Sequence, residues 1–219
     1  MNGAKRSCVI LVADSNMAAA FRGYLTRDRW HLSLGCTAFD FEPQGGKDLI
    51  VDSAGNDPGV YTYAHELLRP YMNSHERALV ALDCEWEGSP GREAIIHTIT
   101  ANLVSAGWNP ECVRVIAIDP ELENWLWQDN QHVAKALRYQ GEPSLRQLLE
   151  EKGLWPAGQA KPSRPKETAE WVLKITRRPR SSSIYEELAG CVSIKGCTDS
   201  AFFDLRDAFT NWFPVEAAQ

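Results

Sequence analysis

R-A-L-V-A-L-D-C-E-W-E-G, residues 77–88, runs through five apolar residues without a break, Ala78 to Leu82, and then places carboxylates at alternate positions: Asp83, Glu85 and Glu87. An uninterrupted apolar run of this length is the pattern of a strand covered on both faces, as in a parallel sheet. Two like charges 4 Å apart repel by about 1 kcal/mol in water and several times more near a protein surface. A cation, a proton or splaying into solvent must offset the cluster that ends this strand.

The same alternation spreads outward from it. Cys8 to Ala13 is a second short run rich in Val and Ile. Asp14-Ser15-Asn16 then offers helix caps, and Met17 to Leu25 has helical spacing. Cys36 to Phe41 reads as another strand, Gly55 to Gly59 as loop chemistry and Tyr61 to Tyr71 as a helix. After the break at Ser89-Pro90-Gly91, Arg92 to Ser105 is an amphipathic helix. Val113 to Ile118 is the fourth strand, and Glu121 to Trp127 opens a further helix. Strands alternating with helices of this length predict βαβ units and a parallel α/β sheet within residues 1–140. Beyond it the strand pattern stops. Short helical spans at Ser144–Glu151, Lys166–Ile175, Ile184–Ala189 and Ala201–Trp212 predict a helical extension, residues 141–219, packed on the core.

Three of these four strands run into an aspartate: Asp14, Asp83 and Asp119. Ligands of open parallel sheets bind at the carboxyl edge, so the three acids converge where such folds keep their sites. Glu85 points the same way as Asp83 if the chain stays extended, and Glu121 and Glu123 follow Asp119 within one turn. Hard oxygen ligands of this kind suit Mg2+ or Mn2+. Asp14 and Asp119-Pro120-Glu121 are equally good helix-start chemistry, so capping and metal binding both stay open there.

The chain carries 23 Lys and Arg against 29 Asp and Glu, which excludes a polycation built to coat nucleic acid. Residues 161–180 reverse the balance, with 7 basic against 2 acidic side chains. This island, including Lys174, Arg177, Arg178 and Arg180 with Trp171 among them, is a candidate grip on a DNA or RNA backbone or a docking surface for a protein. No apolar stretch reaches the 18 residues of a membrane span. The six cysteines lack any C-x-x-C pair, the pattern of free thiols in a reducing cytoplasm. The five histidines show no paired metal spacing, and neither G-x-G-x-x-G nor a P-loop is present. A receiver domain needs a Lys after its last strand, where this chain has Ile118-Asp119-Pro120. Trp125 and Trp127, two apart on one helix, cannot share a core stripe.

An acid after the first strand with a helix following, then D-x-E after a later strand, resembles the Toprim fold of topoisomerases, primases and related nucleases, whose pattern is Glu followed by Asp-x-Asp. The pieces L-V-A-D-S-N-M, I-D-P-E-L-E-N-W-L-W, G-L-W-P-A-G, R-P-R-S-S-S-I-Y and C-T-D-S-A-F…W-F-P resemble the small Toprim-related component of the methylation-associated bacterial defence system, over residues 8–214. The resemblance implies a Toprim-like sheet and a Mg2+- or Mn2+-dependent nuclease or phosphodiester enzyme. Its acids are Asp14, Asp83 and Glu85, with Glu121 or Glu123 beside them, and its partners are other defence proteins. Two departures matter: Asp14 stands where the family has Glu, and Glu85 where it has the second Asp. The alternative is a non-catalytic module that keeps the fold and assembles with other defence proteins.

Overall fold

The computed structural model describes residues 4–194, 197 and 199–215, so the chain ends and Thr198 of the C-T-D-S-A-F motif lie outside the described residues. Four strands, β1 (Arg6–Val12), β2 (Leu49–Val51), β3 (His75–Asp83) and β4 (Val113–Ile118), form one all-parallel sheet in the order β2-β1-β3-β4. It is an α/β fold flanked by helices. The two apolar runs that predicted buried strands become its centre: every residue from Cys8 to Val12 and from Ala78 to Leu82 is fully buried.

Side chains alternate across the sheet, so each face has its own core. On one face, Val9, Leu11, Ala78, Val80 and Leu82 pack under α3 (Asp57–Leu68) and α4 (Arg92–Ser105). On the other, Ile10, Val12, Leu79 and Ala81 meet α1 (Ser15–Leu25) and the helices that follow β4. These are α5 (Glu123–Leu126), α6 (Gln131–Ala136), α7 (Leu145–Glu151), α8 (Pro165–Ile175), α9 (Ser182–Cys191) and α10 (Ser200–Trp212); α2 (Trp30–Leu34) joins the same layer. A Ser144–Gln147 capping box starts α7, and the Asp199 carboxylate caps α10. No described helix is long and apolar enough to cross a membrane, and the six cysteines form no disulfide.

Two sequence-based expectations are corrected. Cys36 to Phe41 is not a strand: β2 is Leu49–Val51, and the earlier segment is irregular. Its apolar residues serve packing instead, with Phe39 stacked on Phe213 at 4.2 Å and edge-on to Trp30 and Phe209. The helix expected from Glu121 starts only at Glu123 and ends at Leu126. Leu122 stands at its N-cap position, so Pro120 does not open the helix and Asp119 does not cap it. Because Trp127 is already extended, both tryptophans reach the core. Trp127 donates to the Pro165 carbonyl, and Trp125 donates to Asp199.

Helices α1 and α9 cross at Gly23. A Cβ there would lie 2.2 Å from the Glu186 carbonyl oxygen, and Arg22 pairs with the Glu186 carboxylate at 2.9 Å beside it. Gly23→Ala must force these helices apart, a cost of about 1–3 kcal/mol. A denaturant titration would measure it, and an unchanged midpoint would show that the crossing is not tightly packed.

Candidate metal centre

The β1–β3 register pairs Val12 with Ala81, so Asp14 and Asp83 leave adjacent central strands at the same level. Neighbouring strands are about 4.8 Å apart. This is also where the strand order reverses, with β2 on one side and β3 and β4 on the other, the crevice at which doubly wound sheets bind ligands.

Each acid is positioned by a backbone N–H. Asp14 is the N-cap of α1, its Oδ1 accepting from the Met17 N–H at 2.8 Å. Asp83 Oδ1 accepts from the Leu122 N–H at 2.9 Å, which ties the end of β3 to the segment after β4. The Asp83 N–H in turn donates to Asp57 Oδ1 at 2.8 Å. Asp57 opens α3, where Asn56 has taken the capping role by accepting from the Gly59 N–H. Asp14, Asp57 and Asp83 thus each commit one oxygen to the backbone; among the described residues the other makes no hydrogen bond.

Negative charge is concentrated here. The Asp83 carboxyl is held well above the usual carboxylate range, by burial first and then by Asp57, Glu123, Asp14 and Glu121. Asp57 is raised by burial and by Asp14, against the bond from the Asp83 N–H. Glu121 is raised by burial and by Glu123 and Glu85, although it accepts from the Lys166 N–H at 2.8 Å and lies 3.6 Å from Lys166 Nζ. Burial works against the charge on Lys166, but Glu121, Glu123 and Asp83 outweigh it and raise the ammonium. Lys166 comes from the first turn of α8.

The other expected residues fall into different places. Glu85 is exposed; its N–H donates to the Pro120 carbonyl, leaving its side chain at the rim. Glu123 is buried and already engaged, its Oε1 accepting from the Tyr185 hydroxyl at 2.6 Å and from Arg180 at 3.2 Å. Arg180 also pairs with Glu170, and Arg178 with Glu187. Of the four basic residues singled out, Lys174 and Arg177 make no ion pair among the described residues, and both are exposed.

Two acids were not anticipated. Asp57 was hidden inside a stretch read as a loop, although Asn-Asp-Pro-Gly is also a helix start with Pro in the first turn. Asp52 follows β2, which was placed elsewhere. It is 7% exposed, and its Oδ2 has no hydrogen-bond partner among the described residues. Gly59 packs so closely that a Cβ there would lie 2.4 Å from this oxygen.

Among the described residues, no three His, Cys, Asp or Glu side chains are drawn together closely enough to hold an ion as they stand. The donor set suits a hydrated ion instead. Mg2+ keeps several waters and takes one or two carboxylates, with phosphate oxygens completing its shell. Asp14, Asp57 and Asp83, each with one oxygen fixed and one open, are the residues that would hold it. Comparison with models of known families, with curated proteins and with solved structures finds no match.

Proposed function

We propose that the chain is a Mg2+- or Mn2+-dependent phosphodiester enzyme, a nuclease in its simplest form, built on a Toprim-like sheet. One observation carries this reading: three carboxylates, each anchored by a backbone N–H, line the sheet edge where the strand order reverses. A bound ion supplies an activated water and neutralises charge on the leaving oxygen. The chain's own part is to hold that ion with Asp14, Asp57 and Asp83 and to keep Glu121 in place through Lys166. Exposed Lys174 and Arg177 supply phosphate contacts on α8 and its C-terminal turn. The sequence resemblance suggests the setting, a multi-protein antiphage system of the methylation-associated kind with other defence proteins as partners.

A second reading has its own support. Glu121 is tied to Lys166, and Glu123 to Tyr185 and Arg180, so the cluster is partly satisfied from within. That is what a non-catalytic Toprim-like module assembling with other defence proteins would retain. Incubating the protein with single- and double-stranded DNA and RNA, with Mg2+ or Mn2+, separates the two. Cleavage that is lost in Asp83→Ala supports the enzyme. Absence of cleavage, with a co-purifying partner that Asp83→Ala still binds, supports the module.

A further inference from the structure

Behind the acidic cluster, α5 forms one wall of a cavity of about 290 Å³ between α1, α9 and α10. Glu123 and Trp125 lie two apart at this wall, so the first meets the cluster and the second the cavity. Ligand pockets are typically a few hundred Å³, mostly apolar and aromatic, with a few polar groups that fix orientation. Phe21, Tyr24, Trp125, Trp127 and Phe202 bring five rings to the lining of this one. Trp125 stands 6.3 Å from Phe21 and 5.6 Å from Phe202, and Phe202 stands 6.3 Å from Tyr24.

Lys161 and Tyr24 bring polar groups to this lining, beside Gln128, Asp129 and Asn130. Lys161, half-buried, donates one hydrogen bond, to the Asn124 carbonyl. An ammonium has three N–H groups, so two find no partner among the described residues. Asp199, the carboxylate that acts on Lys161, already accepts from Trp125, Asn124 and the Phe202 N–H. Burial works against the charge of Lys161 and lowers its pKa, although Cys197 and Asp199 pull the other way. The Tyr24 hydroxyl is buried with no hydrogen-bond partner of good geometry among the described residues, and Arg27 lies over its ring, 4.1 Å from the centroid. Buried donors without acceptors are costly, and native proteins retain them where something else supplies the acceptor.

We propose that this cavity binds a flat aromatic or heteroaromatic small molecule bearing one anionic group, its ring against Phe21, Trp125 and Phe202 and its anion on Lys161. The inference concerns the cavity alone and stands whether or not the acidic cluster is catalytic.

Calorimetric titration with 2-naphthoate and with its uncharged analogue 2-naphthylmethanol tests it. A charge-assisted hydrogen bond should favour the anion by about tenfold or more in Kd. In Lys161→Met that preference should vanish, leaving the neutral probe unaffected. Lys161→Gln keeps a donor for the Asn124 carbonyl and serves if the Met variant does not fold. Ala160→Trp, at an exposed lining position, should weaken both probes by obstructing the cavity. The proposal is overturned if neither probe saturates the wild type, if the alcohol binds as tightly as the anion, if the preference survives loss of Lys161, or if Ala160→Trp changes nothing.

Discussion

Asp83→Asn should make the protein more stable at neutral pH while removing any response to Mg2+ or Mn2+. The carboxyl is crowded by burial and by four other acids, so its folded pKa lies well above the unfolded value of about 3.9. The folded state therefore holds this proton more tightly, and stability falls as pH rises from the unfolded value through the folded one. An amide carries no charge to desolvate, and its oxygen can still accept from the Leu122 N–H. A tenfold difference in proton affinity between the folded and unfolded chain corresponds to about 1.4 kcal/mol, so a melting curve at pH 7 to 8 should show a clear gain that shrinks toward pH 4. Divalent ions should raise the wild-type midpoint and leave the variant unmoved. A variant less stable than wild type at pH 8, or a gap that does not shrink on acidification, would show that Asp83 is not electrostatically strained.

The largest loss of stability is expected at the opposite edge of the sheet. Asp48, just before β2, is fully buried and accepts from the Arg6 guanidinium, the Glu42 N–H and His75 Nε2. These bonds join the starts of β1 and β3 to the residue that leads into β2. Arg6 is partly exposed and can turn to water or to Glu42. His75 is 3% exposed and would keep only Ser74. Removing one member of a buried charged network costs about 3 kcal/mol or more. Asp48→Ala should therefore lower the melting midpoint by roughly 6–12 °C in a chain of this size. Burial works upward on the Asp48 carboxyl, but the bonds from Arg6, Glu42 and His75 hold it below the usual range. Its contribution is thus complete above the unfolded value of about 3.9 and is lost as pH falls through the folded one. Wild type and variant should converge in acid; a constant difference down to pH 2 would assign the loss to packing instead.

What could be read from the sequence was whatever depended on local pattern. β3 and β4 were legible because buried parallel strands are continuous apolar runs. α4 and α10 were legible because their periodicity is bounded by Gly and by an acidic cap. Asp14 and Asp83 followed from the strands, since position at a strand end is enough to place a carboxylate on the sheet edge. Position in three dimensions decided the rest. Cys36 to Phe41 has the composition of a strand, but its aromatic rings are held by Phe209 and Phe213, more than 160 residues away. Leu49–Val51 is only three residues long and gives almost no signal, so Asp52 went unnoticed with it. Glu123 and Arg180 look like separate acidic and basic features in the sequence, 57 residues apart, yet they are partners. No spacing rule links them.

The carboxylates at the β1–β3 edge are expected above all to hold a divalent cation. Electron paramagnetic resonance of free Mn2+, titrated against the protein at pH 7.5, measures this without any assumption about substrate. Wild type should remove Mn2+ from solution saturably. Asp14→Asn and Asp83→Asn should each abolish that uptake, while Glu87→Gln, at an exposed position beyond the strand, should leave it intact. Uptake that is equal in all four proteins, or absent from the wild type at millimolar Mn2+, would contradict a cation site at this edge.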